Sequence, residues 1–160
     1  MNRSIAGPDA SRGGFTLIET IIALAVFGAL LALSMPFLIS FHASSLFTDA
    51  VEQVTQDLRR SQSLAIGGVN DSSQGVYFDV VGERWVLFIG PTYVDGAATN
   101  EVHALPSIVD LVSVSLSGGG SSVVFAERVG RTANTGTIVI RAGSRQATIV
   151  VNAAGGVSRQ

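Results

Sequence analysis

The chain has 160 residues, with ten basic side chains (all arginine), twelve acidic ones, two histidines and no cysteine. A net charge of −2 gives no basic surface for nucleic acid, and the lack of cysteine excludes a disulfide framework and a thiolate-bound metal. Apolar residues make up 47% and charged residues 14%, a balance that suits one modest domain joined to a strongly apolar segment.

In chain order, residues 1–14 form a short polar leader with Arg3 and Arg12, ending in Gly13-Gly14. From Thr20 to Phe41 there are 22 residues without a charge. At 1.5 Å per residue that is roughly 33 Å of helix, enough for a bilayer core. Glu19 stands at the start of this run, where a carboxylate is costly and needs a partner. Pro36 removes one backbone hydrogen bond within the run, which predicts a kink there. Arg3 and Arg12 precede the run and Asp49 is the first charge after it, so the N-terminus is expected on the cytoplasmic side. An ordinary secretory signal has a shorter apolar core and no acid at its start. A plain anchor does not account for Gly-Gly-Phe followed by Glu.

Past the run, Leu46, Phe47, Ala50, Val51, Val54, Leu58 and Ala65 recur at helical spacing, with Asp49, Glu52, Gln53, Gln56, Arg59 and Arg60 on the other face. This predicts an amphipathic helix that ends at Gly67-Gly68. Residues 15–41 would then be the membrane half and 42–67 the amphipathic half of one helix. From residue 74 the period changes to two. Strands are expected at 75–81 and 84–89 around a turn at Gly82-Glu83, at 101–106, at 111–116, and at 122–126 after Gly118-Gly119-Gly120. A hairpin at 137–141 and 146–151 follows, then Gly155-Gly156 and a short tail. Polar loops fall at 90–100 and 127–136. The expected fold class is α+β, a long N-terminal helix followed by an antiparallel all-β domain of about seven strands over 74–160.

Gly14-Phe15-Thr16-Leu17-Ile18-Glu19 resembles the prepilin junction of type IV pilins and type II secretion pseudopilins, and Pro36 matches a proline typical of that family. The resemblance implies that prepilin peptidase cuts between Gly14 and Phe15 and that Phe15 is then N-methylated. It also implies that Glu19 serves assembly by pairing with the Phe15 amine of a neighbouring subunit. A lone buried charge is expensive and a paired one less so, so such a pair would fix the axial register of a filament. Asp57 to Ile66 looks like the helix end of the GspH/FimT minor pseudopilins. Phe125 with Gly130, the run Gly136 to Ile140, the run Ala147 to Asn152, and Gly155 resemble their C-terminal block.

The calcium loop of the major branch has no counterpart here, which favours a minor subunit. By resemblance the chain is a minor pseudopilin of a type II secretion system, assembled into the periplasmic pseudopilus that drives protein export. It would be a single-pass inner-membrane protein with its β domain in the periplasm. Its partners would be other pseudopilins or minor pilins, prepilin peptidase, the inner-membrane assembly platform and membrane lipid. The alternative is a FimT-like minor pilin of a type IV pilus, with a role in DNA uptake. Against nucleic acid stands the tail Gly155-Gly156-Val157-Ser158-Arg159, where Gly156 replaces the first arginine of the family's Gly-Arg-x-Arg. Arg159 alone neutralises few phosphates.

No catalytic constellation, cofactor motif or metal site is expected. His42 and His103 lack matched carboxylate spacing. His42 is read as an interfacial residue and His103 as a surface or loop-packing one. Ser113 and Ser115 read as solvent-facing strand positions, Arg59 and Arg60 as a solvated helix face, and Trp85, Tyr77 and Phe88 as packing aromatics.

Overall fold

The computed structural model describes residues 14–160, without the side chains of 34–41. The leader up to Gly13, with Arg3 and Arg12, lies outside the described residues, and so does the side chain of Pro36, the expected kink. A single helix, α1, spans Leu17–Ile66. The chain divides into two compact units, residues up to Ser40 and Phe41–Gln160.

In the first unit α1 is apolar on every side. Leu17, Ile18, Ile21, Ile22, Leu24, Val26, Phe27, Leu31 and Leu33 are all exposed. A helix with this pattern has no polar face to give to water. Among the described residues, however, no helix is long and apolar enough to cross a membrane. The uncharged run read from the sequence extends through 34–41, whose side chains are not described.

In the second unit the expected stripe is found. Phe47, Ala50, Val51, Val54, Leu58 and Ala65 are buried, while Glu52, Gln53, Gln56 and Arg59 are exposed. The helix stops at Ile66, and Gly68, in the left-handed region at φ 63°, leads into a 3-10 turn at Val69–Asp71. The sequence gives no sign of this turn.

Eight strands follow, one more than expected. They are β1 (Gln74–Asp79), β2 (Arg84–Ile89), β3 (Glu101–Ala104), β4 (Asp110–Leu116), β5 (Ser122–Phe125), β6 (Gly136–Ala142), β7 (Arg145–Val151) and β8 (Val157–Arg159). The added strand, β8, lies in the stretch read as a tail. It pairs with the end of β7, Val157 opposite Val151 and Arg159 opposite Ile149. The strands form two antiparallel sheets, ordered β3-β2-β1-β5 and β4-β6-β7-β8.

One buried cluster unites the α1 stripe with Val76, Phe78, Trp85, Val123 and Phe125 of the first sheet and Ile138, Ile140, Ile149 and Val151 of the second. In β4 a register shift between Leu111 and Ser113 lets Leu111 and Leu116 both point inward, leaving Ser113 and Ser115 exposed as expected.

The outer face of the first sheet carries a second packing centre. Phe88 stands opposite Gly75, where any Cβ would meet its ring at 2.4 Å. Tyr93 of loop 90–100 stacks on Tyr77 with ring centroids 4.0 Å apart and meets Phe88 edge-on at 5.6 Å. Trp85 faces the main core, so the three aromatics read together from the sequence divide between two faces.

The end of α1 is locked by close backbone approach. Gln62 Nε2 donates to the carbonyls of Gly130 and Ala154, both at 3.2 Å, and the Arg128 amide donates to the Ala65 carbonyl at 2.7 Å. Gly155, at φ 86°, would bring a Cβ within 2.1 Å of the Gly130 carbonyl oxygen. Gly155→Ala should therefore destabilise the domain by about 3 kcal/mol, from overpacking and left-handed strain together. Gly96, at φ 72° with nothing within 4 Å, is the control, and its alanine variant should lose only about 1 kcal/mol. Urea unfolding followed by the fluorescence of Trp85, the single tryptophan, measures both; equal losses would contradict the close-approach account.

Candidate functional site

Two regions carry most of the polar chemistry. The first is the N-terminal end of α1. Among the described residues a Cβ at Gly14 would meet nothing within 4 Å, and Phe15 is 85% exposed. Thr16 caps the helix by accepting the Glu19 amide at 3.3 Å on its Oγ1. The spacing Thr-x-x-Glu is that of a capping box, with the threonine half formed. Glu19 lies in the first turn of α1 and is exposed. Its charge is favourable beside the unsatisfied amides of a helix start, and among the described residues its carboxylate makes no ion pair.

The second region joins α1 to the edge strand β3. Asp57 lies on the buried side of α1, 8% exposed, and Trp85 Nε1 donates to its Oδ2 at 2.8 Å. The His103 ring stacks on Trp85, with centroids 5.3 Å apart and planes 12° from parallel. Its Nδ1 is 3.3 Å from Gln53 Nε2, and its Nε2 is 3.1 Å from Glu101 Oε1 and 3.9 Å from Asp57 Oδ2. Arg60 Nη1 donates to both Glu101 oxygens at 2.9 Å. That bond holds the Glu101 carboxyl below its ordinary range and raises the Arg60 guanidinium.

These contacts bind a strand that is mostly exposed and has only four ladder partners on β2. They attach β3 to the helix rather than form a reactive centre. His103 thus packs on the surface as expected. Arg60, read as solvated, is paired within the chain. The sequence assigns Asp57 no separate role, yet a carboxylate on the inward side of a helix, in a chain with one tryptophan, is a signal for this pair. His42 is exposed. Among the described residues no cluster of three or more histidines and acids could hold a metal ion.

The prokaryotic N-terminal methylation motif matches residues 9–35. In fold the chain is similar to the crystal structure of the type IV minor pilin FimU of Pseudomonas aeruginosa. That likeness has 13% identity and a TM-score of 0.57, over 75% of this chain and 92% of that one. The chain is similar also to the minor pseudopilin EpsH from the Type 2 Secretion System of Vibrio cholerae. There the identity is 13% and the TM-score 0.50, over 71% of this chain and 95% of that one. No curated protein sequence matches the chain significantly. The chain thus carries the methylation motif ahead of a pilin-like fold.

Asp57→Ala leaves the buried indole N–H of Trp85 without an acceptor, so it should destabilise the domain by about 2 kcal/mol. Urea unfolding tests this, and an unchanged midpoint would remove Asp57 from the account. Glu101 contributes stability above the ordinary carboxylate range, which is lost as pH falls through its lowered value. The pair is half exposed, so the effect should be roughly 0.5 kcal/mol. Wild type should lose that much more than Glu101→Gln between neutral pH and pH 3; matching pH profiles would count against it.

Proposed function

We propose that this chain is a minor pseudopilin of a type II secretion system. It is cut between Gly14 and Phe15 by prepilin peptidase, N-methylated on Phe15, and held in the inner membrane by residues 15–41 with its β domain in the periplasm. It joins a pseudopilus by packing α1 against the helices of neighbouring subunits. Inner-membrane platform proteins and lipid are its other partners in this reading. The observation that carries it is the methylation motif on a helix with a run of exposed apolar side chains among the described residues, leading into a pilin-like two-sheet domain. Such a surface calls for lipid or other helices.

A role in a type IV pilus is the second reading. The likeness to the minor pilin FimU, with the higher TM-score of the two structures, favours it. Deleting the gene in a strain with both systems separates the readings, since secretion fails in one case and piliation in the other.

In both readings Glu19 is the assembly residue. A carboxylate at the entry to an apolar helix pairs with a new amine at Phe15 of the adjacent subunit. Intact mass and N-terminal sequencing should give a chain that starts at N-methyl-Phe15 only when prepilin peptidase is present; a start at Met1 in its presence would overturn the processing. Glu19→Ala should be cleaved normally and enter filaments at least tenfold less than wild type. Equal incorporation in the sheared fraction would remove that role.

A further inference from the structure

Two buried polar side chains have hydrogen-bonding capacity that the chain does not use. Ser61 of α1 is 2% exposed, and Gln74 at the start of β1 is 4% exposed. Gln74 Nε2 donates to the Val69 carbonyl at 3.0 Å. Among the described residues its Oε1 accepts nothing, and the Ser61 hydroxyl has no partner. Yet no fully enclosed side-chain nitrogen or oxygen among the described residues lacks a partner, so both atoms open onto free space. Both residues line one cavity of about 120 Å³ between α1, the turn at Val69–Asp71 and the ends of β1 and β2. A buried polar atom left unpaired costs free energy, so a cavity that two of them face suits a polar guest.

The rest of the lining chooses the guest. Leu64, Leu87 and Phe88 are apolar walls, and Val69 and Ile89 are apolar and more exposed. Arg60, Asn70, Thr99 and Glu101 are the exposed polar part of the lining. Arg60 holds Glu101 through Nη1, which leaves its other N–H groups to donate, and the pair adds no net charge. A carboxylate guest would face Glu101 and the Gln74 oxygen, which only accept. A cation would face Arg60. A hydrocarbon would leave Ser61 and Gln74 dry and unpaired. A primary amide matches all four groups: its N–H bonds can serve Gln74 Oε1 and Glu101, and its oxygen can accept from Ser61 and Arg60. Size points the same way. At about 30 Å³ per water-sized group the space takes about four heavy atoms, the size of a methylene carboxamide. Sites for whole small molecules begin at roughly 300 Å³, so the amide belongs to a larger partner that stays outside. Asn and Gln side chains carry that group.

We propose that this cavity receives the Asn or Gln side chain of a partner polypeptide. The site lies wholly within the unit Phe41–Gln160, so it does not rest on the anchored reading above. The test is an NMR amide-shift titration of the isotope-labelled full chain, solubilised in detergent, with the tripeptide Gly-Gln-Gly. Shifts should centre on Ser61, Gln74 and Glu101, with a Kd on the order of 10 mM for so few buried atoms. Gly-Leu-Gly and Gly-Glu-Gly share its backbone and should bind about tenfold more weakly, since each leaves cavity groups unpaired. Ser61→Ala should weaken Gly-Gln-Gly about tenfold. It should unfold in urea no earlier than wild type, because the hydroxyl bonds nothing within the chain. Equal binding of the three peptides, or full binding by Ser61→Ala, overturns the proposal. Gln74→Met, which removes the acceptor at similar size, should weaken Gly-Gln-Gly in the same way, and full binding by it is equally fatal. Shifts with N-acetylglucosamine and not with Gly-Gln-Gly reassign the cavity to a sugar and overturn the proposal. No shift with any probe leaves the cavity to water and overturns it too.

Discussion

The stripe of Phe47, Ala50, Val51, Val54, Leu58 and Ala65 on α1 is the surface on which both sheets depend, because all six side chains share one buried cluster with both. A four-stranded sheet with one apolar face must cover it with another element. Here the chain order prevents either sheet from forming alone. From β3 to β6 the chain passes between the sheets at every connection, β3 to β4, β4 to β5 and β5 to β6. The first sheet is therefore incomplete until β5 returns to it, after β4 has left for the second. Such non-local pairing carries its entropy cost before the contacts repay it, so folding should be slow relative to a helical domain of the same size. A helix formed early offers one template for both sheets.

Two open sheets leave four edges, and each is managed differently. On β5 the Val124 amide donates to the Asn134 side chain at 3.2 Å. On β4 the bulge interrupts the ladder, and Glu83 takes the Leu111 amide at 2.7 Å. On β8 Arg59 reaches the Val157 carbonyl at 3.1 Å. On β3 the side chains of His103 and Glu101 fasten the strand to Gln53 and Arg60 of α1. These polar residues look scattered along the sequence. In space they are plugs at the margins of a small core, and they limit pairing with strands from other chains.

This explains which features could be read from the sequence. The α1 stripe, the helix end at Gly67-Gly68 and the hairpin of β6 and β7 follow from local periodicity and turn chemistry, which act over a few residues. The 3-10 turn and β8 do not. Val69 to Asp71 has no local pattern, and β8 has three residues whose pairing depends on the end of β7 lying beside it. Gly130 and Gly155 stand out as glycines in sequence, but the need for them arises from a three-way approach with Gln62 of the helix. The pairing of Asp57 with Trp85 spans 28 residues. At the N-terminus the situation is reversed. The motif around Gly14, Phe15 and Glu19 is contiguous, and the fold adds little to it beyond exposure and the Thr16 cap.

That cap sharpens the electrostatic role of Glu19. A helix start already carries partial positive charge from its unsatisfied amides. Cutting after Gly14 would place a full positive charge at Phe15, one residue before the Thr16 cap, where the helix dipole opposes it. Glu19 in the first turn can offset this charge within its own chain while the helix end is wet. Once neighbouring helices exclude water, the attraction between a carboxylate and an amine strengthens, but so does the penalty for leaving either unpaired. In the proposed filament, a carboxylate that is optional in the free subunit would thus become obligatory. Glu19 would then contribute little to the stability of the monomer and much to its recruitment, a separation expected of an assembly residue and not of a structural one.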